Sequence, residues 1–255
     1  MLRYLALRLL INLIPLRKTR RSLREKHFPR RMRIDIRDSD RCLMICPHPD
    51  DEIIGGGGML IEHAENFDVC CISSAGVAYG DIQAEERANI RIAEFYKVMD
   101  SLKIRNRWIF KIFGKPPMND LIHGHLDDYC KVLNTKTYDY IFLPHANDGH
   151  AEHQYLTKVI AKSVLRTKGY KESCKIVFYE VWSPMECVDW YEDISDVAKQ
   201  KFALLGLYES QLVGINYPER IEGLNKYRGM LYKNVNYAEA FKICRVQDYL
   251  MGKMR

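Results

Sequence analysis

The stretch RCLMICPHPDDEIIGGGG, residues 41–58, decides how this chain is read. Its first six residues, Arg41 to Cys46, are β-prone and, after the arginine, apolar, the length of one buried strand. Pro47 to Glu52 then end the strand on a turn that carries one histidine and three acids. Four glycines follow, Gly55 to Gly58, at the start of a helix expected over 55–66. No Lys-Ser/Thr pair follows them, so the run is not a P-loop. Close packing of that helix against a sheet is the better explanation.

Strand-like and helical runs alternate outward from this point. Strands are expected near 41–46, 68–73, 107–113, 139–143 and 175–181. Helices are expected near 55–66, 82–102, 125–134 and 151–167. Within 82–102 the apolar residues Ile90, Ala93, Phe95, Val98 and Leu102 recur at helical spacing. Such alternation predicts an α/β fold, a doubly wound, Rossmann-like, mostly parallel sheet with helices on both faces. Beyond residue 195, helix and extended segments form a C-terminal extension packed on that core. The expected organisation is an N-terminal segment over 1–33 and one domain over 34–255.

Ligands of open α/β sheets bind at the carboxyl ends of strands. Two sequences occupy such ends: Pro47-His48-Pro49-Asp50-Asp51-Glu52, and Pro144-His145-Ala146-Asn147-Asp148-Gly149-His150-Ala151-Glu152-His153. Catalytic zinc takes three protein ligands from His and Asp/Glu and keeps one position open. His48 and Asp51, three residues apart on a turn, can grip one ion, and His153 can supply the third ligand. Asp50 lies between the first two, placed to take a proton from water. His150 and His153 project from one face of a helix start. One can bind metal while the other stabilises an oxyanion or protonates a leaving amine. An ordinary turn would need no histidine.

PHPDDE before a Gly-rich helix start, with a distant G-H-x-x-H, resembles the LmbE-like or PIG-L family of zinc-dependent N-acetylglucosaminyl deacetylases. Further matches are Arg91-x-x-Glu94, Glu180, Ser210-Gln211 and Ala238-Glu239-Ala240-Phe241, so the resemblance covers most of 41–245. It implies Zn2+ held by His48, Asp51 and His153, Asp50 as general base, and His150 as acid or oxyanion stabiliser. It also implies hydrolysis of the acetamide of an N-acetylated amino sugar on a small-molecule, lipid-linked or nucleotide-linked substrate. Arg91 and His123 are candidate substrate contacts. The chain departs from the family pattern in three places. It has Glu152 where HPDH has Asp, His123-Gly124-His125-Leu126 for D-G-x-L, and Tyr208 where His is common. Glu152 bears on the support of the metal ligands, and the other two changes bear on the substrate more than on the reaction.

Residues 1–33 hold eleven Lys and Arg and one acid, Glu25, a net of +10. The whole chain is +6, so the remainder is −4. Basic character confined to one end argues against a nucleic-acid groove. The apolar run MLRYLALRLLINLI is too short to span a bilayer and is interrupted by Arg3 and Arg8. Beside the cluster Arg17-Lys18-Thr19-Arg20-Arg21, it suits either peripheral contact with an anionic membrane or a helix docked on the domain. Eight cysteines without a C-x-x-C pair, several in strand-like runs, point to a reducing, cytoplasmic compartment with no disulfide framework. Other readings are an amidase of larger N-acyl or thiol-sugar conjugates, a metal-dependent phosphoesterase, and a non-catalytic glycan-binding protein at the membrane surface. A phosphoesterase usually needs two metals, and convincing ligands are present for one.

Overall fold

The computed structural model describes residues 32–74, 83–112, 118–167 and 170–252. The chain divides into two units, 1–32 and 33–255. The membrane or docking reading of 1–33 lies almost wholly outside the described residues.

Eight strands form one sheet: β1 (Met32–Arg33), β2 (Cys42–Cys46), β3 (Phe67–Cys71), β4 (Arg107–Ile109), β5 (Tyr140–Pro144), β6 (Lys175–Tyr179), β7 (Trp190–Asp193) and β8 (Ala238–Arg245). Their order is β1-β7-β8-β6-β5-β2-β3-β4. The block β6-β5-β2-β3-β4 is parallel, and β8 joins it antiparallel to β6. The chain leaves β2 toward β3 and β4, then returns to the other side of β2 as β5. The strand order therefore reverses between β2 and β5, the place where open α/β sheets form their crevice.

Eight helices accompany these strands among the described residues: α1 (Asp51–Glu62), α2 (Ala84–Ser101), α3 (Met118–Gly124), α4 (Leu126–Leu133), α5 (Ala151–Arg166), α6 (Ala198–Leu205), α7 (Tyr217–Gly229) and α8 (Val246–Leu250). Alternation along β2 sends Cys42, Met44 and Cys46 into one core with α1, α2, α6 and α7. Leu43 and Ile45 enter a second core with α3, α4, α5 and α8. Both faces are covered, as a parallel sheet requires.

Three details differ from the sequence expectation. α1 begins at Asp51 rather than 55, because the Asp50 carbonyl already accepts the N–H groups of Ile53 and Ile54. The segment before α4, where no element was expected, forms the short helix α3, with His123 in its last turn and His125 at the N-cap position of α4. The C-terminal extension does more than pack on the core: its strand β8 is inserted between β6 and β7.

The glycine run meets the sheet as expected. A Cβ on Gly55 would sit 2.1 Å from the Tyr179 ring, and one on Gly58 would sit 2.2 Å from Ile194. Between them Gly56 leaves helical geometry at φ −145°, breaking α1 in two. Buried Lys201 and Glu239 satisfy the polar groups near the break. Glu239 accepts from Gly58 N and Met59 N, and Lys201 Nζ donates to Ile54 O and to Glu239.

Candidate metal centre and cleft

The loops after β2 and β5 meet at the switch point and bring three side chains together. Asp51 Oδ2 lies 3.4 Å from His48 Nδ1 and 3.2 Å from His153 Nε2, and the two ring nitrogens are 3.4 Å apart. All three residues are buried. Ligand bonds of about 2.0–2.1 Å around a tetrahedral zinc place neighbouring donors roughly 3.3–3.4 Å apart. The triangle fits such an ion. The buried Asp51 Oδ1 also has no hydrogen-bond partner.

The outer ring atoms are occupied by carboxylates. His48 Nε2 contacts Glu152 Oε2 at 2.6 Å, and His153 Nδ1 lies 3.1 Å from Asp148 Oδ1. Carboxylates in these positions fix the tautomer and raise the basicity of metal-binding imidazoles. Asp148 stands in the quoted second motif, but sequence reasoning gave it no role. Its spacing, five residues before His153, shows nothing by itself. Here Asp148 also accepts the backbone N–H of His150 and of Trp182, so it ties the β5 loop to the loop after β6.

Charge within the cluster is strongly coupled. Burial alone would favour neutral His153, but the carboxylates of Asp51 and Asp148 on either side of the ring outweigh it and lift the imidazole to about 10. Burial likewise works against the Asp51 carboxylate, yet His153 and His48 hold it far below the usual range. Burial and the neighbouring Asp51 charge push Asp50 up to about 8, against Arg91. Burial, with the charges of His48 and His153, holds His150 below the ordinary histidine value.

Asp50 occupies a strained backbone position, φ +113°. Its side chain makes no cap bond to α1, and Oδ2 lies 3.8 Å from Arg91 Nη2. Strain at such a residue is held only where the surroundings over-determine it. Here Arg91 donates to Pro49 O at 2.9 Å, and Glu52 accepts the Asp50 N–H and the Tyr208 hydroxyl. Arg91 and Glu94 do not pair with each other. Glu94 accepts from Ser210 N and Oγ, so α2 holds two separate loops of the site.

A cleft of about 300 Å³ opens over the triad, lined by His48, Asp50, Asp51, Arg87, Arg91, His150, Glu152, Trp182, Gln211 and Tyr217. Arg91 is thus a wall of the cleft. His123 is exposed on α3 and is not among the lining residues. Trp182, 43% exposed, meets Tyr217 edge to face with ring centroids 5.5 Å apart. Tyr217 carried no signal in the sequence. Tyr179 belongs to the core.

Residues 43–164 match the PIG-L family, described as GlcNAc-PI de-N-acetylase. No curated protein matches the chain. Among solved structures, N,N'-diacetylchitobiose deacetylase from Pyrococcus horikoshii superposes with a TM-score of 0.70 at 20% identity, over 82% of this chain and 85% of that one. The 4-carboxy-2-hydroxymuconate hydratase GalB from Pseudomonas putida gives 0.64 at 18% identity, over 80% and 95%. A deacetylase of teicoplanin biosynthesis gives 0.61 at 16%, over 80% and 98%. At these identities the likeness concerns the fold.

Proposed function

We propose that this chain, a member of the PIG-L (LmbE-like) family through residues 43–164, hydrolyses the acetamide of an N-acetylated amino sugar with the help of zinc. The observation that carries the reading is the His48–Asp51–His153 triangle at the floor of a cleft that also holds Asp50 and His150. Two of the three structures named above are deacetylases by their descriptions, one of them of N,N'-diacetylchitobiose, which agrees with this reading.

His48 Nδ1, Asp51 Oδ2 and His153 Nε2 would hold the ion. A zinc ion supplies Lewis acidity to an amide carbonyl and lowers the pKa of water. Asp50 accepts the proton of the attacking water; burial and Asp51 raise its carboxyl to about 8, which makes its carboxylate a stronger base than an ordinary aspartate. Arg91 favours its ionised form. His150, kept neutral by its surroundings, presents an N–H to the oxygen that gains charge as the carbonyl is attacked. The proton taken by Asp50 passes to the departing nitrogen, and the C–N bond breaks to give acetate and a free amine. Trp182 and Tyr217 offer aromatic faces to a sugar ring at the mouth. The +10 segment over 1–33 would bring the enzyme to an anionic membrane surface carrying a lipid-linked substrate.

A mass-spectrometric screen tests this. Metal-stripped and zinc-reconstituted protein is offered N-acetylated sugars, their lipid and nucleotide conjugates, and longer N-acyl analogues. Loss of acetyl dependent on zinc is expected. Because a hydratase shares the fold, unsaturated hydroxy acids belong in the panel. Water addition to these, without acyl release from any amide, would overturn the deacetylase reading.

A further inference from the structure

At the end of α1 remote in sequence from Asp51, three more side chains converge. Glu62 closes the helix, His63 is its C-cap and Glu192 comes from β7. One donor atom from each lies within 4.8 Å of the others. Glu192 is only 1% exposed. Its Oε1 accepts from Arg33 Nε and Nη2, at 3.1 and 2.7 Å. Its Oε2 has no hydrogen-bond partner, and neither has Oε2 of Glu62, though both atoms are buried.

A carboxylate oxygen offers only lone pairs. Two of them, buried in one cluster without a donor, call for a cation or a proton between them. Arg33 does not fill that place, because its Nη2 stays 4.0 Å from Glu62 Oε2. Its charge does reach Glu62 and His63, but Glu239 and Asp193 oppose it at Glu62, and Asp35 and Asp38 oppose it at His63. The last turn of α1 carries no basic residue, so the carbonyl end of the helix adds potential of the same sign.

We propose that Glu62, His63 and Glu192 form a second divalent-cation site, separate from the triad, that ties the end of α1 to β7. Two carboxylates and one imidazole suit zinc or manganese. Glu62 and His63 are partly open to solvent, so water can complete the coordination. A proton shared by the two carboxylates would satisfy the same oxygens without using His63, and this separates the two occupants experimentally.

The full-length protein is stripped with chelator and titrated with zinc, and bound ion is counted calorimetrically and by elemental analysis. Two ions per chain are expected. His63→Ala and Glu62→Gln, at partly exposed positions that folding tolerates, should each bind one and keep the turnover of the parent protein. Asp51→Ala should also keep one ion, and adding His63→Ala to it should leave none. That last pair of results reads the new site whether or not the triad holds catalytic zinc. If Asp51→Ala binds no ion, or His63→Ala changes no count, the carboxylates share a proton and the second site does not exist.

Discussion

Asp148 holds His153 from behind: its Oδ1 lies 3.1 Å from Nδ1, while Nε2 of the same ring faces Asp51 at 3.2 Å. Glu152 does the same for His48. Asp148→Asn and Glu152→Gln should each weaken zinc affinity about 10–100-fold, the usual range for lost carboxylate support of a ligand. Asp148→Asn should be the more damaging, because Asp148 also anchors His150 and Trp182 through their backbone N–H groups. Competition with a chelator of known affinity measures both. Unchanged affinity in both variants would remove these carboxylates from the site.

The roles assigned to the triad and its neighbours separate by variant. Asp50→Asn should retain zinc and lose most turnover, since it removes a base and no ligand. Asp51→Ala and His153→Ala should lose zinc and activity together. His150→Ala should bind zinc and slow hydrolysis by about 10²-fold or more. Equal zinc loss in Asp50→Asn and Asp51→Ala would refute the division.

How much of this was legible in the sequence follows from the range of each interaction. The strand at 41–46 and the turn bearing His48 and Asp51 are local, and their residue types state their role. His153 lies 105 residues from His48, yet a second histidine cluster at a second strand end was enough to bring them together. Asp148, Lys201 and Tyr217 were not found, because each acts through a partner that only the fold supplies. Lys201 satisfies a helix break at Gly56, a break that no periodicity announces. β8 was hidden for a similar reason: an antiparallel insertion 59 residues after β6 depends on pairing, as between Val177 and Ile243.

Gly55→Ala should destabilise the fold by about 1–3 kcal/mol, the cost of overpacking a filled core. The new methyl would meet the Tyr179 ring, which cannot swing away without losing its hydroxyl bond to Ile45 O at 2.7 Å. Gly223→Ala on α7 is the control. Nothing lies within 4 Å of its Cβ, so helix propensity should add about 0.5–1 kcal/mol of stability. Thermal unfolding of the two variants should move in opposite directions. Equal shifts would mean that the glycine run is not set by packing.

Zinc affinity should rise with pH. In the metal-free site His153 titrates near 10, so at neutral pH it carries a proton that an ion on Nε2 must displace. Below that value each unit of pH removes one tenfold barrier, so the apparent association constant should climb about tenfold per unit between roughly pH 7 and 9. His48, also raised, adds a second proton at the acid end and steepens the slope there. Chelator competition over a pH series, corrected for the chelator's own protonation, reads the slope. A flat profile would show that His153 is already neutral before the ion arrives.

The basic segment over 1–33 should bind anionic vesicles. Apolar burial of Leu2, Leu5, Leu9 and Leu13 would add to attraction between its +10 charge and the headgroups. The electrostatic part is worth about 1 kcal/mol per basic residue near the surface and is screened by salt. Truncation at residue 34 is a poor test, because it removes Arg33 and with it a hydrogen-bonded partner of Glu192. Replacing Arg17, Lys18, Arg20 and Arg21 by Gln leaves that contact in place. The parent protein should sediment with vesicles containing anionic lipid, less so at high salt, and the variant should sediment weakly at any salt. Turnover on a soluble amino sugar should be equal in both, while turnover on a lipid-linked one should fall in the variant. Absence of sedimentation at low salt, or identical behaviour of the two proteins, would leave the segment as a helix docked on the domain.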